Sequence, residues 1–238
     1  MKKQIGEQIT LFVCAVLLLS GCATTGNPKD PIEGFNRAVF GFNDALDQVV
    51  VRPVATGYDA VLPSPVKNGV ANFFGNVADV FIAVNNLLQG KGSQGFSDIG
   101  RVLINSTIGI GGVFDVASEI GLEKHMEDFG QTMGVWGVDE GPFFFWPLIG
   151  PRTTRDTFGW AVDSFMDPVW YVEDISLRNS MVGVRYIDLR ASLLQTDKLV
   201  DQAAIDRYTY IRDAYLQNRR SEIRDGAEDV DCKMSRCY

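Results

Sequence analysis

The residues of this 238-residue chain that could do covalent chemistry are few and poorly arranged for it. His125, the only histidine, stands in Glu123-Lys124-His125-Met126-Glu127-Asp128, where a base or a metal ligand is chemically conceivable. A lone histidine in a charged turn reads as a surface residue, and zinc takes about four ligands that no cysteine or histidine cluster supplies. Asp163, Asp167, Glu173 and Asp174 could furnish paired carboxylates for acid–base work, yet nothing in their spacing selects a pair. Ser64-Pro65-Val66-Lys67 has a serine and lysine three apart, but the proline disturbs the helical placement such a pair requires. There is no nucleophile elbow and no phosphate-binding loop. Gly109-Ile110-Gly111-Gly112 follows a helical pattern and not a strand, so it is no dinucleotide fingerprint. These residues argue against an enzyme and call for neither metal nor cofactor.

One thiol is placed by its context. The chain begins MKKQIGEQITLFVCAVLLLSGC, with a basic start, an apolar run and small residues before a cysteine, which are the parts of a secretory signal. The apolar run, about eleven residues, is too short to span a bilayer as a helix. Leu19-Ser20-Gly21-Cys22 resembles the bacterial lipobox, in which the signal, here residues 1–21, is removed and the cysteine is acylated. Several acyl chains hold a protein firmly at a membrane where one does so only marginally, so residues 22–30 read as an acylated tether. Ala23 after the cysteine is similar to the outer-membrane default of lipoprotein sorting. The formal net charge of −8 becomes more negative once Lys2, Lys3 and Glu7 leave, which disfavours nucleic acid and any simple electrostatic hold on anionic lipid. Cys232 and Cys237 then remain in a compartment that permits disulfides. Their pairing stays open and would close only a small loop.

The elements that follow read as helices of a single domain over residues 31–224, with a charged tail over 225–238. Asp30-Pro31-Ile32-Glu33 has the capping-box arrangement and predicts a helix start. Phe35, Val39, Phe42, Leu46 and Val49 share one stripe, and Arg52-Pro53 is expected to end that helix. Over residues 66–88 nearly every position is apolar, except for Asn68, Asn72, Asn76, Asp79 and Asn86, which fall on one narrow line. Such a helix is buried in protein or in lipid. Its polar line faces either a wet groove or backbone partners in a core, since an unsatisfied buried amide costs about 1–3 kcal/mol. Residues 96–108 form another amphipathic pattern, with Phe96, Ile99, Val102, Leu103 and Ile108 opposite Asp98, Arg101 and Asn105. The glycines at 109, 111 and 112 break it and permit a tight reversal into a short return helix over 113–122. Residues 128–160, rich in Gly, Pro and aromatics, predict irregular structure with short helices. Helical pattern returns over 180–224, with Ala204, Tyr208, Ile211 and Tyr215 as a stripe and Asp206, Arg207, Arg212, Asp213, Arg219 and Arg220 as a solvated face. The fold class is all-α.

Phe143-Phe144-Phe145-Trp146, between Pro142 and Pro147, admits two readings. It is either a core strand or a surface for something oilier than water.

Several stretches together resemble one family, the MlaA or VacJ lipoproteins of the Gram-negative outer membrane. They are Asp30-Pro31-Ile32-Glu33-Gly34-Phe35-Asn36-Arg37, Arg52-Pro53-Val54-Ala55, Asn72-Phe73-Phe74-Gly75-Asn76, Leu88-Gln89-Gly90-Lys91 and Asn105-Ser106-Thr107-Ile108 with the glycine turn. Asp128-Phe129-Gly130-Gln131-Thr132, Gly141-Pro142, Leu148-Ile149-Gly150-Pro151, Arg155-Asp156 and Arg212-Asp213-Ala214-Tyr215 continue the series. Ile205-Asp206-Arg207-Tyr208 departs from it, lacking the family's usual proline before the tyrosine, and so does the cysteine-bearing tail. The resemblance implies a ring-like bundle of amphipathic helices seated in the inner leaflet of the outer membrane, lipid-anchored on the periplasmic face, with a central amphipathic channel. It implies removal of mislocalised phospholipid from the outer leaflet, transfer to a soluble periplasmic phospholipid-binding carrier, and work beside a trimeric porin. On that footing Asn68, Asn72, Asn76 and Asp79 are expected along the lipid channel, and Phe143, Phe144, Phe145 and Trp146 in contact with the membrane. Gly109, Gly111 and Gly112 are expected to form a hinge, and Phe40-Gly41-Phe42-Asn43 the ring's rim. The competing reading is a structural lipoprotein that scaffolds a porin-containing assembly without carrying lipid.

Overall fold

Helix follows helix along most of the chain in the computed structural model, which describes residues 27–225. Cys22 with its signal, and Cys232 and Cys237, lie outside the described residues. Helix α1 (Glu33–Leu46) runs through a π turn (Asp47–Val51) directly into α2 (Arg52–Val61). Pro53 does not end the helix as expected. It sits in the first turn of α2, and the wider turn before it lets the Arg52 N–H reach back to Asp47 O, so the missing proline donor costs little. Then come α3 (Ser64–Leu88), α4 (Gly92–Thr107), the short α5 (Val116–Glu119) and α6 (Phe129–Val135). Asp115 and Asp128 cap the last two by accepting from Ser118 N and Gln131 N. Strands β1 (Phe143–Trp146) and β2 (Gly150–Thr153) form an antiparallel hairpin, with Phe143 opposite Thr153 and Trp146 opposite Gly150. After it, α7 (Thr154–Met166), a 3-10 turn (Pro168–Tyr171), α8 (Ile175–Ser192), α9 (Leu194–Ala203) and α10 (Arg207–Ile223) complete the order, with Asp174 and Asp206 capping α8 and α10.

The start of α1 differs from its capping-box reading. Ile32 takes the cap position without a side-chain bond. Asp30 is instead fully buried, accepting from Asn36 Nδ2 at 2.7 Å, the Tyr208 hydroxyl at 2.5 Å and Arg212 Nη1 at 3.1 Å. A buried carboxylate requires such pairing, and the result ties the beginning of the domain to its last helix. Asn36 extends the clasp, donating to Phe143 O at 3.0 Å and accepting from Phe145 N at 2.9 Å. Its side-chain amide thus serves β1 as a neighbouring strand would.

Contacts between elements close a circuit. It passes from α1 through the π turn and α2 to α8, then α3, α6, α7, β2 and β1, and returns to α1. Within this frame burial is inverted. Among the described residues nine hydrophobic side chains are buried against seventeen polar or charged ones, the reverse of the usual ranking for water-soluble domains. The main apolar cluster is Phe143, Phe145, Tyr208 and Leu216, bordered by Val39, Phe40, Ile211 and Tyr215. Its rings meet edge to face, as Phe40 and Phe145 do with centroids 5.3 Å apart. No helix among the described residues is long and apolar enough to cross a membrane.

The hairpin corrects the expectation that all four aromatics at 143–146 contact the membrane. Phe143 is fully buried and Phe145 nearly so, while Phe144 is half-buried and Trp146 exposed. The strand's two-residue period sends alternate rings to opposite faces. The outward surface here is Trp146 with the tip residues Leu148 and Ile149. Leu148→Asp is therefore expected to change folding stability by no more than about 0.5 kcal/mol, while reducing the fraction of protein recovered with membranes. Thermal melting and carbonate extraction in parallel would check this, and equal loss of both would contradict it.

Candidate functional site

The α3–α4 hairpin supplies the first part of the site. On α4, Asp98, Arg101 and Asn105 point inward and are buried, while Phe96, Leu103 and Ile108 on the opposite face are 70%, 61% and 68% exposed. On α3, Val80, Val84, Leu87 and Leu88 are exposed too. A contiguous apolar exterior of this kind marks contact with membrane or protein.

Between the two helices runs a polar seam. Asn72 Nδ2 donates to Val113 O at 3.1 Å, and Asn76 Nδ2 to Ser106 Oγ at 2.9 Å. Asp79 accepts from Lys124 Nζ at 2.5 Å and Arg101 Nε at 3.3 Å, and Asn86 donates to Asp98 at 2.7 Å. His125 Nδ1 lies 2.8 Å from Asp98 Oδ1, so the single histidine is a partly buried member of this seam and not a free surface group. The expectation that Asn68, Asn72, Asn76 and Asp79 share an open path is corrected accordingly. Asn76 and Asp79 are buried and meet protein, and of the four only Asn68 is exposed. Of the two readings of the line, backbone and side-chain partners win because a charged or amide group inside an apolar shell needs them.

The glycine turn is set by close approach. A Cβ on Gly109 would fall 2.2 Å from Phe114 O, and one on Gly112, at φ +91°, would fall 2.6 Å from Asn76 Cβ. Gly111 has positive φ and open space around it. Ile110 also adopts positive φ.

The solvated face predicted on α10 is also corrected. Arg212 and Arg219 are buried. Arg212 pairs with Asp30, and Arg219 pairs with Asp128 at 2.5 Å and with Asp156 at 3.2 Å. Asp163 on α7 accepts from Phe129 N at 3.1 Å. Burial pushes its carboxyl up to about 6, with the like charge of Asp128 adding to the rise and the Phe129 N–H opposing it. Its proton is held more tightly folded than unfolded, where the carboxyl titrates at about 3.9. Stability should therefore fall as pH rises from about 4 to about 6 and level off above. Asp163→Asn is expected to flatten that slope in pH-dependent melts. A wild-type slope of opposite sign in this window, preserved in the variant, would contradict the assignment.

The second part of the site is a cavity of about 350 Å³ between α1, the hairpin tip, α8, the start of α9 and the start of α10. Phe40, Leu46, Phe145, Ile149, Leu189 and Leu193 give it apolar walls, and Asp44, Asp47, Arg190, Asp197 and Arg207 give it charged ones. Arg190 grips Asp47 with two bonds, Nε at 2.6 Å and Nη2 at 2.7 Å, and Nη2 also reaches Asp197. That fork geometry is the strong mode of guanidinium–carboxylate pairing. Hydrogen bonding to Arg190 holds the Asp47 carboxyl below its usual range despite burial, and the same bonds raise the guanidinium. Arg207 Nη1 pairs with Asp44 at 3.0 Å. None of the asparagines of α3 lines this cavity. Sequence reasoning missed its charged residues because Asp47 and Arg190 lie far apart in the chain and become a pair only when α8 packs beside the π turn. A surface offering both apolar wall and paired charge suits an amphiphile.

Comparison with known proteins bears on the same surfaces. The family model described as "MlaA lipoprotein" matches residues 28–222. The Escherichia coli (strain K12) protein named "Intermembrane phospholipid transport system lipoprotein MlaA" is 36% identical over 231 residues, covering 93% of this chain and 90% of that protein. The protein of the same name from Haemophilus influenzae is 32% identical over 231 residues, covering 92% of each. A solved structure described as "Structural basis for maintenance of bacterial outer membrane lipid asymmetry" superposes with a TM-score of 0.73 at 33% identity, covering 82% of this chain and 98% of that one.

Proposed function

The chain belongs to the MlaA lipoprotein family, and from that premise we propose that it is an outer-membrane lipoprotein that removes mislocalised phospholipid from the outer leaflet. It passes the lipid to a soluble periplasmic carrier for retrograde transport and so maintains lipid asymmetry. In this reading acylated Cys22 holds the protein to the periplasmic face, the closed circuit of helices sits in the inner leaflet, and a trimeric porin stands beside it. The observation that carries the proposal is the inverted burial. Charged seams lie inside, and Phe96, Leu103, Ile108 and the exposed face of α3 lie outside, where acyl chains solvate them without cost. In this reading the cavity beside Arg190 offers a lipid's polar end a wall of mixed character, and the channel role falls to α1, α8 and α10. A hinge at the turn then centres on Gly111, where nothing lies within 4 Å of an added Cβ, while Gly109 and Gly112 are held by close packing against Phe114 and Asn76.

A photoreactive amino acid placed at Leu189 on the cavity wall, with a second at Leu103 on the outer face of α4, tests this in cells. Phospholipid adducts are expected at both positions. A protein that only scaffolds a porin assembly would give adducts at Leu103 and none at Leu189, and that pattern would overturn the lipid-carrying reading.

A further inference from the structure

We infer that the cavity walled by α1, α8 and α10 receives a zwitterionic aminophosphate headgroup, that of an ethanolamine phospholipid, in preference to an anionic one. The inference rests on the lipid-carrying reading and adds the ligand class. It starts from a charge inventory. Arg190 and Arg207 on the wall, with Arg52 beside Asp47 and Asp197, face Asp44, Asp47, Asp197 and Asp201, the last paired with Arg207, so the cluster carries one more negative charge than positive. A lipid whose headgroup is a bare phosphodiester adds its charge to that excess. Like charges in a partly desolvated site repel strongly.

A phosphate tethered to an ammonium is neutral overall and complements both signs. The structure provides a place for each end. Arg190 Nη1 is buried and has no hydrogen-bond partner among the described residues, although Nε and Nη2 of the same guanidinium are fully engaged with Asp47 and Asp197. That leaves one unpaired charge-assisted donor, which a phosphate oxygen reaches once the side chains covering it shift. The acids that hold the guanidinium lie directly beside it. An ammonium has three donors and no acceptor, and carboxylates already fixed by an arginine can accept from it without reorganising. The two-carbon bridge of ethanolamine keeps ammonium and phosphate adjacent, as the guanidinium and its two acids are.

Size agrees with this assignment. At about 350 Å³ the cavity lies at the small end of ligand pockets, about 300–1,000 Å³. It takes a headgroup and glycerol but not two whole acyl chains, and its apolar walls, among them Phe40, Ile149 and Leu193, take the part of the chains nearest the glycerol. Asp47 remains a carboxylate throughout the neutral range, since Arg190 lowers its proton affinity.

The test uses the full-length acylated protein in detergent micelles. It is titrated calorimetrically with dihexanoyl phosphatidylethanolamine and, separately, with dihexanoyl phosphatidylglycerol. Wild type is expected to bind the ethanolamine lipid roughly tenfold more tightly. Asp197→Asn should bring the ratio close to one, chiefly by improving the glycerol lipid, while Leu189→Trp should weaken both. Should Asp197→Asn fail to fold by circular dichroism, Asp44→Asn, which leaves Arg190 and both its acids in place, should narrow the ratio in the same direction. Equal affinities in wild type, or a preference untouched by the folded carboxylate variant, would overturn the headgroup assignment and leave lipid carriage standing. Binding of neither lipid would overturn both, and preference for the glycerol lipid would overturn the charge argument itself.

Discussion

Replacing Arg101 with methionine is expected to destabilise the protein by roughly 3–5 kcal/mol, the range for breaking a buried ion pair from one side. Its side chain is 1% exposed. Nη1 donates to Leu122 O at 2.6 Å and Ser118 Oγ at 2.9 Å, and Nη2 reaches both Asp115 oxygens at 3.0 and 3.1 Å. Nε reaches Asp79 at 3.3 Å. Methionine replaces the aliphatic stem and removes all five bonds. Asp115 then lacks its cation, and Asp79 keeps only Lys124. Arg101 is thus the point where α3, α4, α5 and the loop after α5 are joined, and the apolar exterior of the hairpin depends on that joint. Thermal unfolding in detergent reads the loss. The double variant with Asp115→Asn should lose less than the sum of the two single variants, because the uncompensated charge is gone. A single-variant loss under about 1 kcal/mol would mean that the buried polar seam does not hold the hairpin.

Gly159→Ala is expected to cost about 3 kcal/mol, near the upper end for overpacking. The methyl would lie 2.3 Å from Gly130 N and 2.6 Å from Gly130 Cα. These are backbone atoms of α6, and no flexible side chain can yield. The helices α6 and α7 would have to separate, and with them the Arg219 pairs to Asp128 and Asp156 that cross the same junction. Gly183→Ala on α8 is the internal control. A methyl there would have no atom within 4 Å, and alanine in a helix interior is favoured over glycine by about 0.5–1 kcal/mol. The two substitutions are chemically identical and should move the unfolding midpoint in opposite directions. Shifts of the same sign would contradict the close crossing.

How legible this was in the sequence depends on which physical signal each feature left. The positions of α1, α3, α4 and much of α8 to α10 were legible, because a stripe of apolar residues at helical spacing survives whatever surrounds it, whereas α2 beyond Pro53 and α7 over Thr154–Met166 were not. The direction in which a stripe faces was not. Phe96, Leu103 and Ile108 mark one face of α4 whether water or lipid lies beyond it, and only the buried Asp98, Arg101 and Asn105 reveal that the polar face turns inward. The same ambiguity made Arg212 and Arg219 read as solvated.

At the hairpin a core strand was one of two open readings, and the choice between them was hidden for a different reason. Alternation identifies a strand only when polar residues interrupt it, and four consecutive aromatics at 143–146 carry no such contrast. Asp30 matched a capping pattern so well that its pairing with Tyr208 and Arg212, residues far along the chain, had no competing signal. The Asp47–Arg190 pair left none at all. The asparagine line on α3 is legible as a line, and only the placement of Asn76 and Asp79 against Ser106, Arg101 and Lys124 decides between its two readings.

These features join in one physical account. On the proposed function, a protein seated among acyl chains keeps its charges paired inside and presents its apolar side chains outward, and a mixed-charge cavity gives the polar end of a lipid somewhere to go. The most direct test measures phospholipid in the outer leaflet of living cells with a phospholipase added from outside. It compares cells with and without this gene, and the deletion complemented by wild type or by Cys22→Ala. The account predicts a rise in accessible phospholipid on deletion, reversed by wild type and not by the unanchored variant. Unchanged accessibility in the deletion strain, with its outer membrane intact, would contradict it.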